Sequence, residues 1–90
     1  MSDFRDNTER HRYEFDAPEG DSFATYRDVA DARQILHVET APEAQGRGYA
    51  AKLMDKIVAD ARAKGRKIAP FCSYARAYFA RNKSADDVLG

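Results

Sequence analysis

The chain has 90 residues, with 15 Lys plus Arg balanced by 15 Asp plus Glu, and 43% hydrophobic against 33% charged residues. These proportions describe a globular chain able to bury one core, expected as one domain over 1–90, and exclude a disordered one. The zero net charge speaks against a dedicated nucleic-acid binder, which needs clustered excess cation. No apolar run reaches bilayer-spanning length, and Met1-Ser2-Asp3-Phe4-Arg5-Asp6 lacks the apolar region of a secretory signal. The lone cysteine, Cys72, cannot form an internal disulfide and fits a reducing compartment, so a cytoplasmic protein without a membrane partner is expected.

The first ten residues read as a polar lead before the first strand. His11-Arg12-Tyr13-Glu14-Phe15 alternates, with Tyr13 and Phe15 on one face, and predicts a short strand. Asp16 to Asp21 is a turn cluster built on Pro18 and Gly20. Ser22 to Asp28 predicts a second strand, followed by a loop around Asp28 to Arg33. Gln34 to Thr40 is the strongest strand, and simple alternation puts Ile35, His37 and Glu39 on one face and Leu36, Val38 and Thr40 on the other. Pro42 ends it. After a glycine-rich loop, Ala50, Leu53, Met54, Ile57, Val58 and Ala61 form a helical stripe running to about Lys64, with Gly65 placed as a C-terminal cap. Arg66 to Phe71 predicts a fourth strand, Ser73 to Asn82 a second helix, and Ser84 to Leu89 one further turn. The order β-β-β-α-β-α predicts a mixed α/β sheet: an antiparallel meander, then a parallel pair joined by the crossover helix.

Gln45-Gly46-Arg47-Gly48 lies between a strand and a helix N-terminus. Such a position suits an anion, because the first helical N–H groups are unpaired and the macrodipole is positive there. The spacing is not that of a nucleotide P-loop. A dinucleotide loop stays open, since Ala51 occupies its third glycine position, but the following strand Ile68-Ala69-Pro70-Phe71 carries no acidic end. A tight turn with no ligand would also explain the two glycines.

Gln45-Gly46-Arg47-Gly48-Tyr49-Ala50 resembles the Gln/Arg-x-x-Gly-x-Gly/Ala loop of the GNAT acetyltransferases, and Val38-Glu39-Thr40-Ala41-Pro42 resembles the strand that precedes it there. More narrowly, the chain is similar to the minimal, single-domain GNAT-like N-acetyltransferases at Asn7, Arg12-Tyr13-Glu14, His37-Val38-Glu39, the loop, and Pro70-x-Cys72. The resemblance implies a truncated GNAT-like fold and acetyl-CoA as co-substrate, with no metal. It implies a pyrophosphate on the backbone of Arg47, Gly48, Tyr49, Ala50 and Ala51, and a pantetheine arm beside Val38, Glu39 and Thr40. It also implies that Cys72 faces the acetyl end and that His37 takes part in the chemistry.

Acetyl transfer to an amine needs the amine deprotonated and the leaving thiolate protonated, unless an enzyme thiol first takes the acetyl group. His37 is the candidate base, with Glu39 as its partner or as base in its place. Cys72, at the start of a helix where a thiolate is favoured, is the candidate acyl carrier. Each has a plainer reading: a half-buried histidine, a solvated glutamate, a small apolar cysteine. Tyr74 and Tyr78, four residues apart, read as a packing pair, although Tyr78 stands roughly where larger GNAT enzymes keep a proton-donating tyrosine. Those enzymes wall the acceptor site with helices between their first two strands. Here only Asp16 to Asp21 intervenes, and Ser73 stands where a proline often follows the cysteine. The acceptor is thus an unidentified amine, of which a protein lysine or amino-terminus is one form. The rival readings are a CoA-binding module without turnover and a binder of another phosphorylated ligand. A monomer or weak dimer is expected.

Overall fold

A computed structural model describes residues 3–90. Five strands form one sheet in the order β1-β2-β3-β4-β5. β1 (Phe4–Asn7), β2 (Arg12–Phe15), β3 (Ser22–Val29) and β4 (Ala32–Thr40) make an antiparallel meander. β5 (Lys67–Pro70) runs parallel to β4, paired from Ala32↔Lys67 to Ile35↔Pro70. The crossover between them is α1 (Tyr49–Lys64), and α2 (Ser73–Arg81) follows β5. A 3-10 segment, Lys83–Val88, brings Leu89 into a parallel bridge with Ile68.

The mixed sheet and its parallel crossover match the expected fold, with one strand more than the sequence pattern predicts. β1 lies in the segment read as a polar lead. Its inward residues are Phe4, stacked on the Tyr13 ring at 5.6 Å, and Asp6, which accepts a hydrogen bond from Tyr26 and pairs with Arg33 at 2.8 Å. With one inward apolar residue and a paired carboxylate at the other inward position, the four-residue strand gives an alternation rule too little to recognise. β3 and β4 are also longer than predicted, because the expected loop from Asp28 to Arg33 is a tight hairpin. Val29 pairs with Ala32, Ala30 takes a left-handed φ of 56°, and Asp28 binds Arg33 across the turn.

The simple alternation of β4 also fails. Thr25 pairs with His37 but Tyr26 pairs with Ile35, so Leu36 is an extra residue in a bulge. A bulge reverses the parity of the positions beyond it. Ile35 faces the core, and past Leu36 it is Val38 and Thr40 that face the same side, opposite Ala24 and Ser22. His37 and Glu39 point to the other face.

The helices pack on the Ile35 face. Leu53, Met54, Ile57 and Ala61 of α1 are fully buried against Tyr13, Ala24 and Ile35 of the sheet and Ile68 of β5. Each large apolar side chain so buried contributes about 1.5–3 kcal/mol. Gly65 ends α1 in a left-handed cap, as the stripe predicts, with its N–H on the Ala61 and Arg62 carbonyls. α2 lies beside α1 on this face, adds Ala75, Tyr78 and Phe79 to the same core, and donates the Tyr78 hydroxyl to Asp55. Arg33 is the charged residue buried in this layer, 3% exposed. Its guanidinium donates to both oxygens of Asp28, to Asp6 and to Tyr13 Oη, and lies 3.7 Å from the Tyr26 ring centroid. The opposite face of the sheet carries Arg5, Arg12, Glu14, Phe23, His37 and Glu39, and the contacts of both helices fall on the core side.

Candidate active site

The site forms where β4 outlasts β5. Pairing of the two strands stops at Ile35 and Pro70, and the Ile35 carbonyl accepts the N–H groups of both Phe71 (3.0 Å) and Cys72 (3.2 Å). The chain turns there into α2, so residues 36–40 of β4 run beyond the last β5 pair. On the helical side of that stretch is a cleft of about 350 Å³. Val38 and Thr40 form its floor, Gln45, Gly46, Gly48, Tyr49 and Ala50 its loop wall, and Tyr74 of α2 its far wall, with Ala44 completing it.

Pro42–Ala44 form a 3-10 turn, and Gln45 donates its side-chain amide to the Thr40 carbonyl at 3.2 Å, tying the loop back to the strand. Gly46 and Gly48 have φ of 81° and 80°. A Cβ built on either meets nothing within 4 Å, so the requirement for glycine is the left-handed backbone, not crowding inside the loop. Gly48 caps α1 without a side-chain hydrogen bond, and the first turn of the helix carries no acidic side chain. The positive end of the α1 dipole is therefore not compensated from within the helix. The Arg47 side chain, 54% exposed, reaches Glu19 at 3.7 Å. Tyr49 donates to the same carboxylate, and that bond raises the phenol's pKa and lowers the glutamate's.

Of the residues expected on cofactor contacts, Val38, Thr40, Gln45, Gly46, Gly48, Tyr49 and Ala50 line the cleft together. Arg47 and Ala51 adjoin it in the loop and first turn, and Glu39 points to the opposite face. There its carboxylate bonds His37 Nε2 at 3.0 Å, both side chains being 58% exposed. The Phe23 ring lies 6.4 Å from the His37 ring. Cys72 is half-buried and is the N-cap of α2, its sulfur accepting the Ala75 N–H at 3.4 Å. The hydrogen bonds therefore join His37 to Glu39 and Cys72 to its own helix, and do not join His37 to Cys72.

The tyrosines divide in a way their spacing does not disclose. Tyr78 turns inward, where burial and the bond to Asp55 push its phenol well above the ordinary value. Tyr74 turns to the cleft, and partial burial raises its pKa as well. Tyr74 is the site residue that spacing alone passes over; its position two residues after the N-cap Cys72 is the signal that could have found it. Among the described residues, no group of three or more His, Cys, Asp or Glu could hold a metal, and no helix is long and apolar enough to cross a membrane.

The fold is similar to the NMR solution structure of a GCN5-like candidate N-acetyltransferase from Staphylococcus aureus, with a TM-score of 0.72 and 26% sequence identity over 100% of this chain and 91% of that one. No curated protein matches the chain. The family described as GCN5-related N-acetyl-transferase matches residues 12–88, from β2 through the last 3-10 segment, and the chain belongs to that family.

Proposed function

We propose that the protein is an acetyl-CoA-dependent N-acetyltransferase whose acceptor is an amine carried on a macromolecule. The observation that carries this reading is the cleft itself. A glycine loop, a helix N-terminus with no acid in its own first turn and a stretch of β4 whose β5 edge is open converge on one space. The first two suit a pyrophosphate through backbone N–H groups of Arg47 to Ala51. The third suits an extended amide chain such as pantetheine, laid along Val38 to Thr40 with hydrogen bonds of the kind a strand would make. In this reading the cofactor approaches from the helical side, and His37 with Glu39 serves the acceptor on the opposite face. His37 takes the proton from the amine, Glu39 orients its ring, and the amine nitrogen forms a bond to the acetyl carbon as the carbon–sulfur bond breaks. In a two-step variant, the Cys72 thiolate first exchanges with the CoA thiolate and then passes the acetyl group on.

Thermal unfolding with acetyl-CoA or CoA tests the binding step. A ligand of the native state at a hundredfold excess over its Kd stabilises by about 2.7 kcal/mol. No shift at saturating concentration would end the reading. One observation favours a second reading, a CoA-binding module without turnover: neither His37 nor Cys72 lines the cleft. Release of CoA from acetyl-CoA in the presence of amines decides between the two.

A further inference from the structure

The β2–β3 turn is too short to wall an acceptor, but it is pressed against the end of β4 and the 3-10 turn that lead into the glycine loop. The Ala41 N–H donates to the Asp21 carbonyl at 2.8 Å, and a Cβ on Gly20 would lie 2.8 Å from Ala41 Cβ. That contact carries Glu19 to the mouth of the loop. One of its oxygens accepts the Tyr49 hydroxyl and the other lies 3.7 Å from Arg47 Nη1. Lys52, one turn into α1, has its ammonium 5.6 Å from the Tyr49 ring centroid. Arg47, Lys52 and the start of α1 thus form a cationic patch, and the carboxylate that faces it comes from a distant part of the chain.

We propose that Glu19 is a built-in counter-anion of the phosphate subsite, competing with the phosphates of CoA for Arg47 and so holding down CoA affinity. This inference rests on the acetyl-CoA reading above. The carboxylate is fastened by Tyr49, so it stays in place when the exposed Arg47 side chain swings away. A pyrophosphate entering the loop must take Arg47 from Glu19 and then sit beside the carboxylate that remains. Both effects oppose phosphates, and neither touches a ligand that lacks them.

The experiment is a binding series with CoA and with pantetheine, which has no phosphate, on wild type, Glu19→Gln, Arg47→Gln and the double variant. Glutamine keeps an oxygen for the Tyr49 hydroxyl and removes only the charge, and a thermal melt of each variant confirms that it folds. An exposed ion pair of this kind predicts that Glu19→Gln binds CoA about two- to fivefold tighter. Pantetheine binding should be unchanged, the gain in CoA affinity should shrink with added salt, and it should also shrink in the Arg47→Gln background. Equal CoA affinity in wild type and Glu19→Gln overturns this inference alone. Weaker CoA binding by Glu19→Gln, or equal tightening of pantetheine, overturns it as well and assigns Glu19 a bracing role. Failure of wild type and variant alike to bind CoA overturns both this inference and the acetyl-CoA reading.

Discussion

At the scale of single residues, Cys72 has an observed role and a proposed one, which substitution can separate. Its sulfur caps α2 through the Ala75 N–H, and its thiol is the proposed acyl carrier. Cys72→Ala removes the cap as well as the nucleophile and should cost about 1 kcal/mol of stability, whereas serine keeps a capping oxygen. If the thiol carries the acetyl group, incubation with acetyl-CoA alone should add one acetyl to wild type by intact mass. Cys72→Ala should then lose both the adduct and turnover. Full activity in Cys72→Ala would leave direct attack by the amine, with His37 as base. His37 itself shows where residue-level reading stops. The type and the strand were legible, but the face was not, because the bulge at Leu36 is set by pairing with Thr25 and Tyr26 on another strand.

Between elements, the buried Arg33 ties β1, β2, β3 and β4 together through Asp6, Tyr13, Tyr26 and Asp28. Arg33→Leu leaves Asp28 without its cation and Asp6 with only the longer contact to Arg66 at 3.9 Å, and should destabilise by about 3 kcal/mol, read from chemical unfolding. The same pairing has a pH consequence. The hydrogen bonds from Arg33 lower the Asp28 pKa. Burial pulls Glu14 upward, but hydrogen bonds from Arg12 and Asn7 and the charge of Arg5 leave it lowered overall. A carboxyl whose pKa is lower folded than unfolded contributes stability above its unfolded pKa, and that stability is lost as pH falls through the folded one. The unfolded references are 4.5 for Glu and 3.8 for Asp, so the melting temperature should begin to fall below about pH 4.5 and continue down through the lowered values. Asp28→Asn should flatten that decline. The glycine loop supplies a second test at this scale. Gly48→Ala puts a side chain at a φ of 80°, so it should lose about 1 kcal/mol of stability even though the added Cβ meets nothing. Helix α1 was readable because its stripe, cap glycine and loop are local signals. β1 was not, since its inward Asp6 makes sense only once Arg33 is beside it.

At the scale of the molecule, the decisive feature is that both helices lie on one face of the sheet. Among the described residues, the face bearing His37 and Glu39 is bounded by strands alone, among charged residues and the half-buried Phe23 ring. A small-molecule pocket needs walls on several sides, and the β2–β3 turn is committed to the helical side, through Asp21 to Ala41 and through Glu19 to Tyr49. An amine arriving at His37 therefore meets a broad surface. Positioning is a large share of the rate in a two-substrate reaction, and a small free amine would receive little of it here. A lysine or amino-terminus on a peptide or protein can gain orientation from contacts far from the reacting nitrogen. The expected outcome is slow turnover with polyamines and single amino acids and faster turnover with peptides or proteins, measured side by side by CoA release. Glu39→Gln should slow the preferred acceptor without weakening CoA binding, since Glu39 points away from the proposed cofactor cleft. Efficient acetylation of one small amine, with no gain from a peptide, would require walls that this face of the sheet does not have, and would move the acceptor to the helical side beside Tyr74.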